Sequence, residues 1–500
     1  MKEANKDFLD YIDQTAESLK NKILTAKDNI KTSGTCYYVS NDGNDNNDGL
    51  TPNTSWATLD KVSNFSFKSG DAVKFKRGDI FRGRILTKSN VTYCAYGNGD
   101  KPKMFGWTKN LCDASLWELV DNENNIYKYV EDIPDVGTLV FNDGELVSRK
   151  LIPSYIGGKF VCRDNPSKAF VMAEQMTENL DIFCFYNKRF TTETSKGENF
   201  PVPLIDEESY GQLYLRCDGG NPANMFNSIE AIPKRSMFYV ADNQNVTIDN
   251  FCIKYMGIHA VSGIGQVNGL HVSNCEIGWI GGSIQNYLGN DPNYPQGPRG
   301  SVTRFGNGIE IYGGCNDYIV ENCYIYQIYD AGITHQITTF GKKWTMENIK
   351  YSNNLLENCV YSIEYFLEKN QNDTESYMNN IEICENIFRF GGYGWGQQRH
   401  NTHTPALIKG WSYENTAYNY CIHHNIYDRC AYRLVHLICK EKECLPIMHD
   451  NTYIQKYGLT LGQYGENKLS EPPILAFFDN AEDIITNSWN DKNSKVYYIK

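Results

Sequence analysis

The sequence predicts an all-β protein whose short strands stack in successive turns of a parallel β-helix. The main observation is a repeat that begins near Asn245: an alternating strand, an Asn and a second apolar strand. Successive copies of the Asn lie from 24 residues (Asn250 to Asn274) to 48 residues (Asn274 to Asn322) apart. No convincing helical pattern lies between the copies, which disfavours leucine-rich and helical repeats. Aromatic residues, which favour strands, make up 13% of the chain.

Composition excludes several classes of protein. The chain has 500 residues, 41% of them hydrophobic, which is too many for a disordered protein. Its formal net charge of -12 argues against a nucleic-acid binder. A mean hydropathy of -0.51 and the lack of a long uncharged apolar run argue against a membrane protein. The N-terminal segment has no apolar signal region, so we expect a cytoplasmic protein, or a secreted one if a signal was removed.

The repeat has seven copies, and we expect its Asn to occupy a β-turn in each. Asn tolerates left-handed backbone geometry, and its amide can bond to the Asn of the next turn. We therefore expect one structural row of stacked Asn side chains, over an interior of Ile, Val, Leu and Cys. The copies are VTIDNFCI, LHVSNCEI, YIVENCYI, IKYSNNLL, IEICENIF, YCIHHNIY and IMHDNTYI, with the Asn at Asn250, Asn274, Asn322, Asn354, Asn386, Asn425 and Asn451.

A second strand can be aligned in five of the turns, as YMGIHAV, GNGIEIY, DAGITHQ, VYSIEYF and YRLVHLI. In a strand, successive side chains point to opposite faces. The residues taken as inward are Ile258, Ile309, Ile333, Ile363 and Val435. The outward row is then His259, Glu310, Thr334, Glu364 and His436.

Segments near the N-terminus carry a resemblance to a known family. YYVSNDGNDNNDGLTPNTSWATLDKV, GDAVKFKRGDIFRG and SNVTYCAYGNGDKP resemble the opening of right-handed parallel β-helix proteins of the pectate-lyase-like superfamily. WATLDKV is similar to the short helix that caps the open end of such proteins. The resemblance covers Tyr37 to Lys103 and Asn245 to Lys456, and it implies a right-handed helix and activity on polysaccharides. The superfamily includes hydrolases, lyases, epimerases and non-catalytic tailspikes, so fold alone does not fix the activity.

The repeats and their gaps divide the chain into five parts. We expect an N-terminal helical segment (1–34), a cap with the first β-helix turns (35–103), an all-β insertion (104–237), the main parallel β-helix (238–456), and a C-terminal cap and tail (457–500). The N-terminal helix is predicted by apolar residues at helical spacing.

Three carboxylates are the candidates for catalysis. Glu310 and Glu364 lie two rungs apart in the outward row, so their backbones are expected about 10 Å apart. Asp330 lies in the turn before the intervening strand and can face the same cleft. Glycoside hydrolysis needs one protonated carboxylic acid and one ionised carboxylate, acting as base or nucleophile. Solvated carboxylates on an exposed sheet face are the alternative for any one of them.

The histidines and one loop supply further candidates. His436 is taken as catalytic because it shares the row, and His335 because it follows the Asp330 turn, although strict alternation points His335 into the core. The loop GGYGWGQQRHNTHTP carries an aromatic residue and cations that suit a sugar and its carboxylate. The candidate substrate-binding residues are His259, Tyr312, Gln336, Trp395 and Arg399, with His400 and His403 in the same loop. His423 and His424, before the Asn425 turn, are expected to be structural.

The cysteines and acidic turns do not predict a cofactor. The 16 Cys include no CxxC pair and no zinc-ribbon spacing, and Cys252, Cys275 and Cys323 are expected to be stacked, buried thiols. The segment from Asn41 to Gly49 is rich in oxygen ligands but lacks the closing Glu of an EF-hand. We expect no metal or other cofactor, with calcium at this segment as the alternative.

Three functions are compatible with these observations. The first is a glycoside hydrolase that uses the carboxylates. The second is a polysaccharide lyase, which removes the proton beside a uronate carboxylate with a Lys, Arg or His base. The third is a non-catalytic glycan-binding protein. We favour the hydrolase, with a poly- or oligosaccharide as partner, no nucleic acid and no membrane; the oligomeric state stays open.

The Asn row yields a testable prediction. Replacing Asn322 by Ala should lower the free energy of unfolding by on the order of 1 kcal/mol, because left-handed tolerance and stacked amide bonds are both lost. Thermal unfolding measures this loss. Intact stability together with lost activity would contradict a structural role for the row.

Overall fold

The computed structural model shows a mostly β protein with long parallel sheets. The structure describes residues 2–151, 153–156, 159–162, 165–169, 184–189, 210–287, 302–339, 342–369, 372–373, 375–399, 404–411, 417–438, 445–465, 474–475, 481, 485 and 491–500. Among these residues, no helix is both long and apolar enough to cross a membrane.

Three parallel ladders run the length of the molecule, each built from one strand per repeat. Ladder one contains, in spatial order, Ile80–Arg82, Lys103–Phe105, Cys252–Met256, Glu276–Ile280, Tyr324–Ile328, Leu355–Glu357, Ile387–Gly391, Ile426–Cys430, Thr452–Lys456, Lys495–Ile499 and Lys2–Glu3. Ladder two contains Cys36–Val39, Ala72–Lys76, Thr92–Tyr96, Thr247–Asp249, His271–Ser273, the second half of Ile309–Glu321, Thr345–Ser352, Tyr377–Cys384, Ala417–His423, Ile447–His449 and Asp491–Lys492. Ladder three contains Ile85–Leu86, Phe238–Ala241, Val261–Asn268, the first half of Ile309–Glu321, Ala331–Thr338, Tyr361–Glu368, Ala406–Trp411, Arg433–Ile438 and Gly462–Gly465, with Ile474–Leu475 antiparallel at its end.

The space between the ladders is filled by one apolar core. The predicted inward residues Ile309, Ile333, Ile363 and Val435 are fully buried in it. Ile408, on a strand that the sequence alignment omitted, continues the same row. Burying such side chains removes about 25 cal/mol of unfavourable hydration for each Å² of apolar surface. The core therefore fixes which residue of each strand points outward.

The Asn residues form two neighbouring rows, which corrects the single row expected from the sequence. Asn250, Asn274 and Asn322 adopt positive φ angles between 51° and 68°. In the later repeats a residue one position earlier than the Asn takes this geometry, as Asn353 does at 56° and Glu385 at 58°. The ladder register confirms the offset, because Glu321 pairs with Ser352 and so brings Asn322 level with Asn353.

The second row consists of buried amides stacked above one another. The Asn386 backbone N–H and its side-chain Nδ2 both donate to Asn425 Oδ1 at 3.0 Å. Asn354 makes the same pair of bonds to Asn386, and Asn425 makes them to Asn451. Cys323 starts this row by donating its backbone N–H to Asn354 Oδ1. One position of each turn thus adopts the left-handed backbone geometry, and the next position supplies the stacked amide.

The expected stacked thiols follow the same register. Cys275 and Cys323 occupy the interior row that the later repeats fill with Asn, and both are fully buried. Cys252 lies one position further along, level with Glu276 in ladder one. The prediction therefore holds for two of the three cysteines as stacked neighbours, while Cys252 is buried in the adjacent row.

The insertion interrupts the chain without interrupting the ladders. Lys103–Phe105 pairs directly with Cys252–Met256, and Ile85–Leu86 pairs with Phe238–Ala241, across the whole inserted segment. The inserted strands are Trp117–Asp121, Ile126–Tyr129, Ile133–Pro134, Val136–Phe141, Leu146–Val147, Arg149–Lys150, Pro153–Ile156, Lys159–Cys162, Asn165–Ala169, Cys184–Arg189, Tyr210–Arg216 and Ile229–Pro233. They enclose a second, smaller core. A hairpin of Ser283–Tyr287 and Val302–Phe305 leaves the ladders separately.

Few helices accompany the ladders. Helix α1 (Lys6–Leu24) packs Ala16 and Ile23 onto the outer side of ladder one. Helix α2 (Leu59–Asn64), within the segment that resembles a cap, begins after Thr58 and buries Leu59 and Val62 in the main core. The other helical segments with named bounds in the described part of the chain are short: Pro52–Thr54, Ala114–Leu116, Asn142–Gly144, Pro222–Met225 and Trp395–Gln398. The segment after residue 457, expected as a cap and tail, contributes strands to all three ladders.

The two Asn rows predict different mutational effects. Asn386→Ala leaves the buried Asn354 amide without its acceptor, so it should destabilise the protein by roughly 3 kcal/mol. Asn322→Gly should be nearly neutral, because glycine also accepts positive φ. Chemical denaturation of both variants measures these effects. Equal losses in the two variants would show that the rows are not separate.

Candidate active site

The candidate site lies on the outward face of ladder three. The register aligns one residue from each of seven strands into a single row: Ser262, Glu310, Thr334, Glu364, Lys409, His436 and Gln463. Glu310 and Glu364 therefore lie two rungs apart, with Thr334 between them. Four of the five residues predicted for the row are in it.

Glu310 is buried and bound by neutral donors. Asn307 donates its Nδ2 to Glu310 Oε2 at 2.6 Å, and Gln336 Nε2 lies 3.0 Å from Oε1. The Thr334 hydroxyl donates to the same carboxylate. Only 5% of Glu310 is exposed, and no Lys or Arg pairs with it in the described part of the chain.

Glu364 is held by a lysine. Lys409 Nζ lies 2.7 Å from Glu364 Oε1 and 4.1 Å from the centre of the Tyr361 ring. Burial by itself lowers the pKa of Lys409, but the attraction of Glu364 and Tyr361, together with the hydrogen bond to Glu364, outweighs burial and raises that pKa above its usual value. Lys409 thus stays charged and forms a buried ion pair with Glu364.

Asp330 forms an ion pair with Arg399. Asp330 ends the turn before Ala331–Thr338, and its backbone N–H donates to Gly306 O. Arg399 follows the short helix Trp395–Gln398 and lies 5.9 Å from the Tyr361 ring centre. Arg399 and Lys409 both lie over the ring of Tyr361. The Asp330–Arg399 ion pair is therefore close to Glu364, at the edge of the row.

His436 continues the row beyond Lys409. Burial, with the charges of Arg433 and Lys409, lowers the pKa of His436 to about 3, so the ring is neutral at pH 7. Its Nδ1 has no hydrogen-bond partner among the residues that the structure describes. Arg433 donates to Gln463 Oε1 at 2.6 Å beside it. This end of the row presents a neutral imidazole between cations.

His335 lies in the core, which corrects its selection as a catalytic residue. Its Nδ1 is 2.9 Å from the Tyr351 hydroxyl, and its Nε2 is 3.2 Å from the Tyr420 hydroxyl. The ring stacks on Tyr365 with an interplanar angle of 1°. It has no exposed surface, so a substrate cannot reach it. Strand alternation, rather than a bulge, determines its direction.

His259 does not belong to the outward row, although it lies near Glu310. The strand begins at Val261 and places Ser262 level with Glu310, three positions later than the sequence alignment assumed. His259 is buried and accepts the Asn307 backbone N–H at its Nδ1. Burial lowers its pKa, against the opposing effect of Glu310. It therefore positions Asn307 rather than contacting a substrate.

Tyr312 and Gln336 form a second outward row, two positions beyond Glu310 and Thr334. Phe366 is the next residue of this row, and its ring meets that of Tyr312 edge-on at 6.5 Å. Gln336 connects the rows by donating to Glu310. Aromatic and amide groups beside the carboxylates provide a surface on which a sugar ring can stack and bond.

Trp395 is a packing residue, and its assignment as a sugar platform is corrected. It is 4% exposed and packs against Tyr329, with ring centres 5.0 Å apart. Its indole N–H donates to Gln327 O, and its backbone N–H donates to Gln327 Oε1. This anchoring holds the loop that carries Arg399. His400 and His403 lie outside the described residues.

Sequence reasoning missed Lys409 and Arg433. Both lie on ladder-three strands, and Lys409 follows an inward Ile408, the pattern that identified Glu310 and Glu364. The segment ALIKGW shows this pattern, but the long loop before it prevented its alignment with the other strands. Arg433 was passed over within the aligned segment YRLVHLI because it precedes the inward Val435 by two positions.

The acidic segment from Asn41 to Gly49 is occupied by turns. Asp45 accepts the backbone N–H groups of Ala57 and Thr58, and Asp48 accepts the Leu50 N–H and the Thr54 hydroxyl. These bonds explain the acidic residues as the frame of the cap before α2. Calcium at this segment stays an untested expectation.

Comparison with known proteins gave only distant likenesses. No family model matches the chain, and no curated protein matches it. The chain is similar to a GH136 lacto-N-biosidase from Eubacterium ramulus, with 11% identity, a TM-score of 0.41, and coverage of 99% of this chain and 71% of that chain. It is also similar to XylC in complex with xylose (14%, 0.41, 93% and 82%) and to a rhamnogalacturonan lyase (10%, 0.33, 87% and 83%).

The buried His335 predicts a measurable pH effect. Burial lowers its pKa to about 3, whereas an unfolded histidine binds a proton below about pH 6.5. Between these values only the unfolded state is protonated, so stability falls as the pH falls, by up to about 1.4 kcal/mol per pH unit.

His335→Gln should lower stability overall but flatten this dependence between pH 6.5 and 4, as measured by denaturant unfolding. Asn322→Gly, which changes no titratable group, is the control and should keep the wild-type slope. An unchanged slope in His335→Gln would contradict the assignment.

Proposed function

We propose that the three ladders are the faces of a right-handed parallel β-helix, as in the pectate-lyase-like superfamily, and that the protein is a carbohydrate-active enzyme. Each repeat visits ladder three, ladder two and ladder one in that order, as Ala331–Thr338, Thr345–Ser352 and Leu355–Glu357 do. Parallel crossovers of this kind are right-handed in nearly all proteins.

The proposed reaction is hydrolysis of a glycosidic bond in a poly- or oligosaccharide. The observation that carries the proposal is the pair Glu310 and Glu364, both buried, on one outward row with different partners. Burying a carboxyl group costs free energy, so two of them buried on one row call for a function. Glycosidases need two carboxyl groups whose environments differ in this way.

The partners suggest a role for each carboxyl group. Lys409 favours the ionised form of Glu364, which suits a base or nucleophile. The hydrogen-bond partners of Glu310 are neutral. Protonation of Glu310 therefore does not leave a neighbouring cation without its counter-ion. Gln336 can serve either form of Glu310: it donates through Nε2 to the carboxylate, and after an amide rotation its Oε1 accepts from the acid. Glu310 is accordingly the proposed proton donor.

The spacing favours inversion of the anomeric centre. Two rungs separate the backbones of Glu310 and Glu364 by about 10 Å, and carboxyl groups in inverting enzymes are about 6.5 to 9.5 Å apart. Retaining enzymes need about 5 to 5.5 Å, which requires the two side chains to lean strongly towards each other. The wider spacing leaves room for the attacking water.

A lyase is the second candidate, and the basic end of the row favours it. His436 is neutral at pH 7 and has an unpartnered Nδ1 within the described structure, which suits a base. Arg433 and Lys409 lie beside it and can neutralise a uronate carboxylate. In this reaction the base removes the proton next to the carboxylate, and the glycosidic oxygen leaves.

Two substitutions test the hydrolase. Glu310→Gln and Glu364→Gln should each lower kcat by at least about 100-fold, because proton transfer is lost, while the fold is retained. The assay is release of reducing ends from a panel of plant and microbial glycans, and nuclear magnetic resonance of the first product reports the anomer.

Glu368→Gln is the matched control, since Glu368 lies at the exposed end of the same strand as Glu364 and its carboxylate accepts a hydrogen bond from the Thr338 hydroxyl. It should keep wild-type activity. If His436→Ala abolishes turnover and the product shows the ultraviolet absorbance of an unsaturated uronate, the lyase is correct. Wild-type turnover in both Gln variants would overturn the hydrolase.

A further inference from the structure

A cluster of histidine, cysteine and carboxylate side chains lies on the outward face of ladder two, on a different ladder from the candidate active site. Four of its members are called the ladder-two quartet here: Glu382, Cys421, His423 and His449. They come from three successive strands, Tyr377–Cys384, Ala417–His423 and Ile447–His449. The ligand atoms of Cys421, His423 and His449 all lie within 4.8 Å of one another.

The pairing of these three ladder-two strands brings the four side chains of the quartet together. Glu382 lies directly beside Cys421, and His423 lies directly beside His449. The two pairs are two positions apart along the strands, so all four side chains leave the same face of the ladder. The two imidazoles stack with ring centres 4.7 Å apart and an interplanar angle of 3°, so binding one ion requires the rings to rotate until both Nε2 lone pairs converge on it.

The separations match those between ligands of one tetrahedral zinc ion. Zn–S bonds of about 2.3 Å and Zn–N bonds of about 2.0 to 2.1 Å place S and N ligands about 3.5 Å apart, and N and O ligands about 3.3 Å apart. The Cys421 Sγ to His449 Nε2 distance is 3.5 Å. The His423 Nε2 to Glu382 Oε1 distance is 3.2 Å.

Residues outside the quartet contact its ligand side chains and hold them in position. Asp450 Oδ2 lies 2.8 Å from His449 Nδ1, so it fixes the proton there and leaves Nε2 free to bind a metal. His424 Nδ1 lies 2.8 Å from His423 Nδ1 and does the same for the second ring. Lys350 holds the other oxygen of Glu382 at 2.6 Å. Carboxylate–histidine contacts of this kind support most histidine ligands of zinc.

We propose that the ladder-two quartet binds one Zn²⁺ ion. The thiolate of Cys421, Nε2 of His423 and His449, and Oε1 of Glu382 complete four-coordinate geometry, and mixed N and S ligands are those that zinc prefers. Binding releases the thiol proton of Cys421 to solvent. The ion joins three consecutive strands near the C-terminal end of the ladders and stabilises that end, without a part in the chemistry on ladder three.

The experiment uses the purified full chain, stripped with a chelator and titrated with Zn²⁺ in competition with a chromophoric chelator. We expect one equivalent per chain and a higher thermal unfolding temperature on binding. Co²⁺ in place of Zn²⁺ should give intense tetrahedral visible bands and a thiolate-to-cobalt charge-transfer band. Absence of stoichiometric binding, or of the charge-transfer band, would overturn the proposal.

Variants locate the site. Cys421→Ser and His449→Ala should each weaken Zn²⁺ binding at least about 100-fold, and Asp450→Asn should weaken it by about 10- to 100-fold, as for other groups that orient metal ligands. Circular dichroism of each metal-free variant checks that the fold is retained.

The matched controls lie on the same face of the molecule. His271→Ala removes a half-buried histidine of ladder two that pairs with Glu321. Cys384→Ser removes the buried thiol whose sulfur lies within 4.8 Å of ligand atoms of Glu382 and His423, so it tests the alternative thiolate. Both should keep wild-type affinity and the cobalt charge-transfer band. Loss of that band in Cys384→Ser with retention in Cys421→Ser would refute the assigned thiolate.

Discussion

Parallel pairing between successive repeats is the constraint on which the rest of the structure depends. Each backbone hydrogen bond between strands places a residue beside its equivalent one repeat later, about 4.8 Å away. The apolar core, the buried Asn amides and the outward carboxylates are all rows generated by this one rule. A single residue of slip would exchange the interior for the exterior along a whole strand. The insertion respects the constraint, because the strands on either side of it pair directly.

The sequence correctly predicts the residues whose position follows from the repeated strand pattern. It misplaces residues whose position depends on the length of the turn before a strand. Alternation after an inward Ile correctly placed Glu310, Thr334 and Glu364 on one face. His259 was misplaced because the turn before Val261 is longer than the alignment assumed. The two Asn rows were merged because one position needs left-handed backbone and its neighbour needs a buried amide. Asn satisfies both needs, so its letter alone cannot distinguish them.

Exposure was the other property that the sequence left open. Glycine-rich composition suggested a loop that displays Trp395 to solvent, whereas the indole is the buried anchor and Arg399 of the same loop pairs with Asp330. A large aromatic side chain gains more from burial than from a half-wet surface when a carbonyl is within reach of its N–H. Gln327 supplies that carbonyl. Burial of this kind depends on contacts distant in sequence, which composition does not encode.

The position of helix α1 has a consequence for synthesis of the chain on the ribosome. Its apolar face packs on strands that include Tyr324–Ile328 and Ile387–Gly391, and Lys2–Glu3 pairs with Lys495–Ile499. The residues of α1 therefore find these neighbours only after hundreds more residues have been translated. Until then Ala16 and Ile23 face water, while the ladders can already assemble repeat by repeat behind them. Docking of α1 therefore has to wait for strands that are translated long after it.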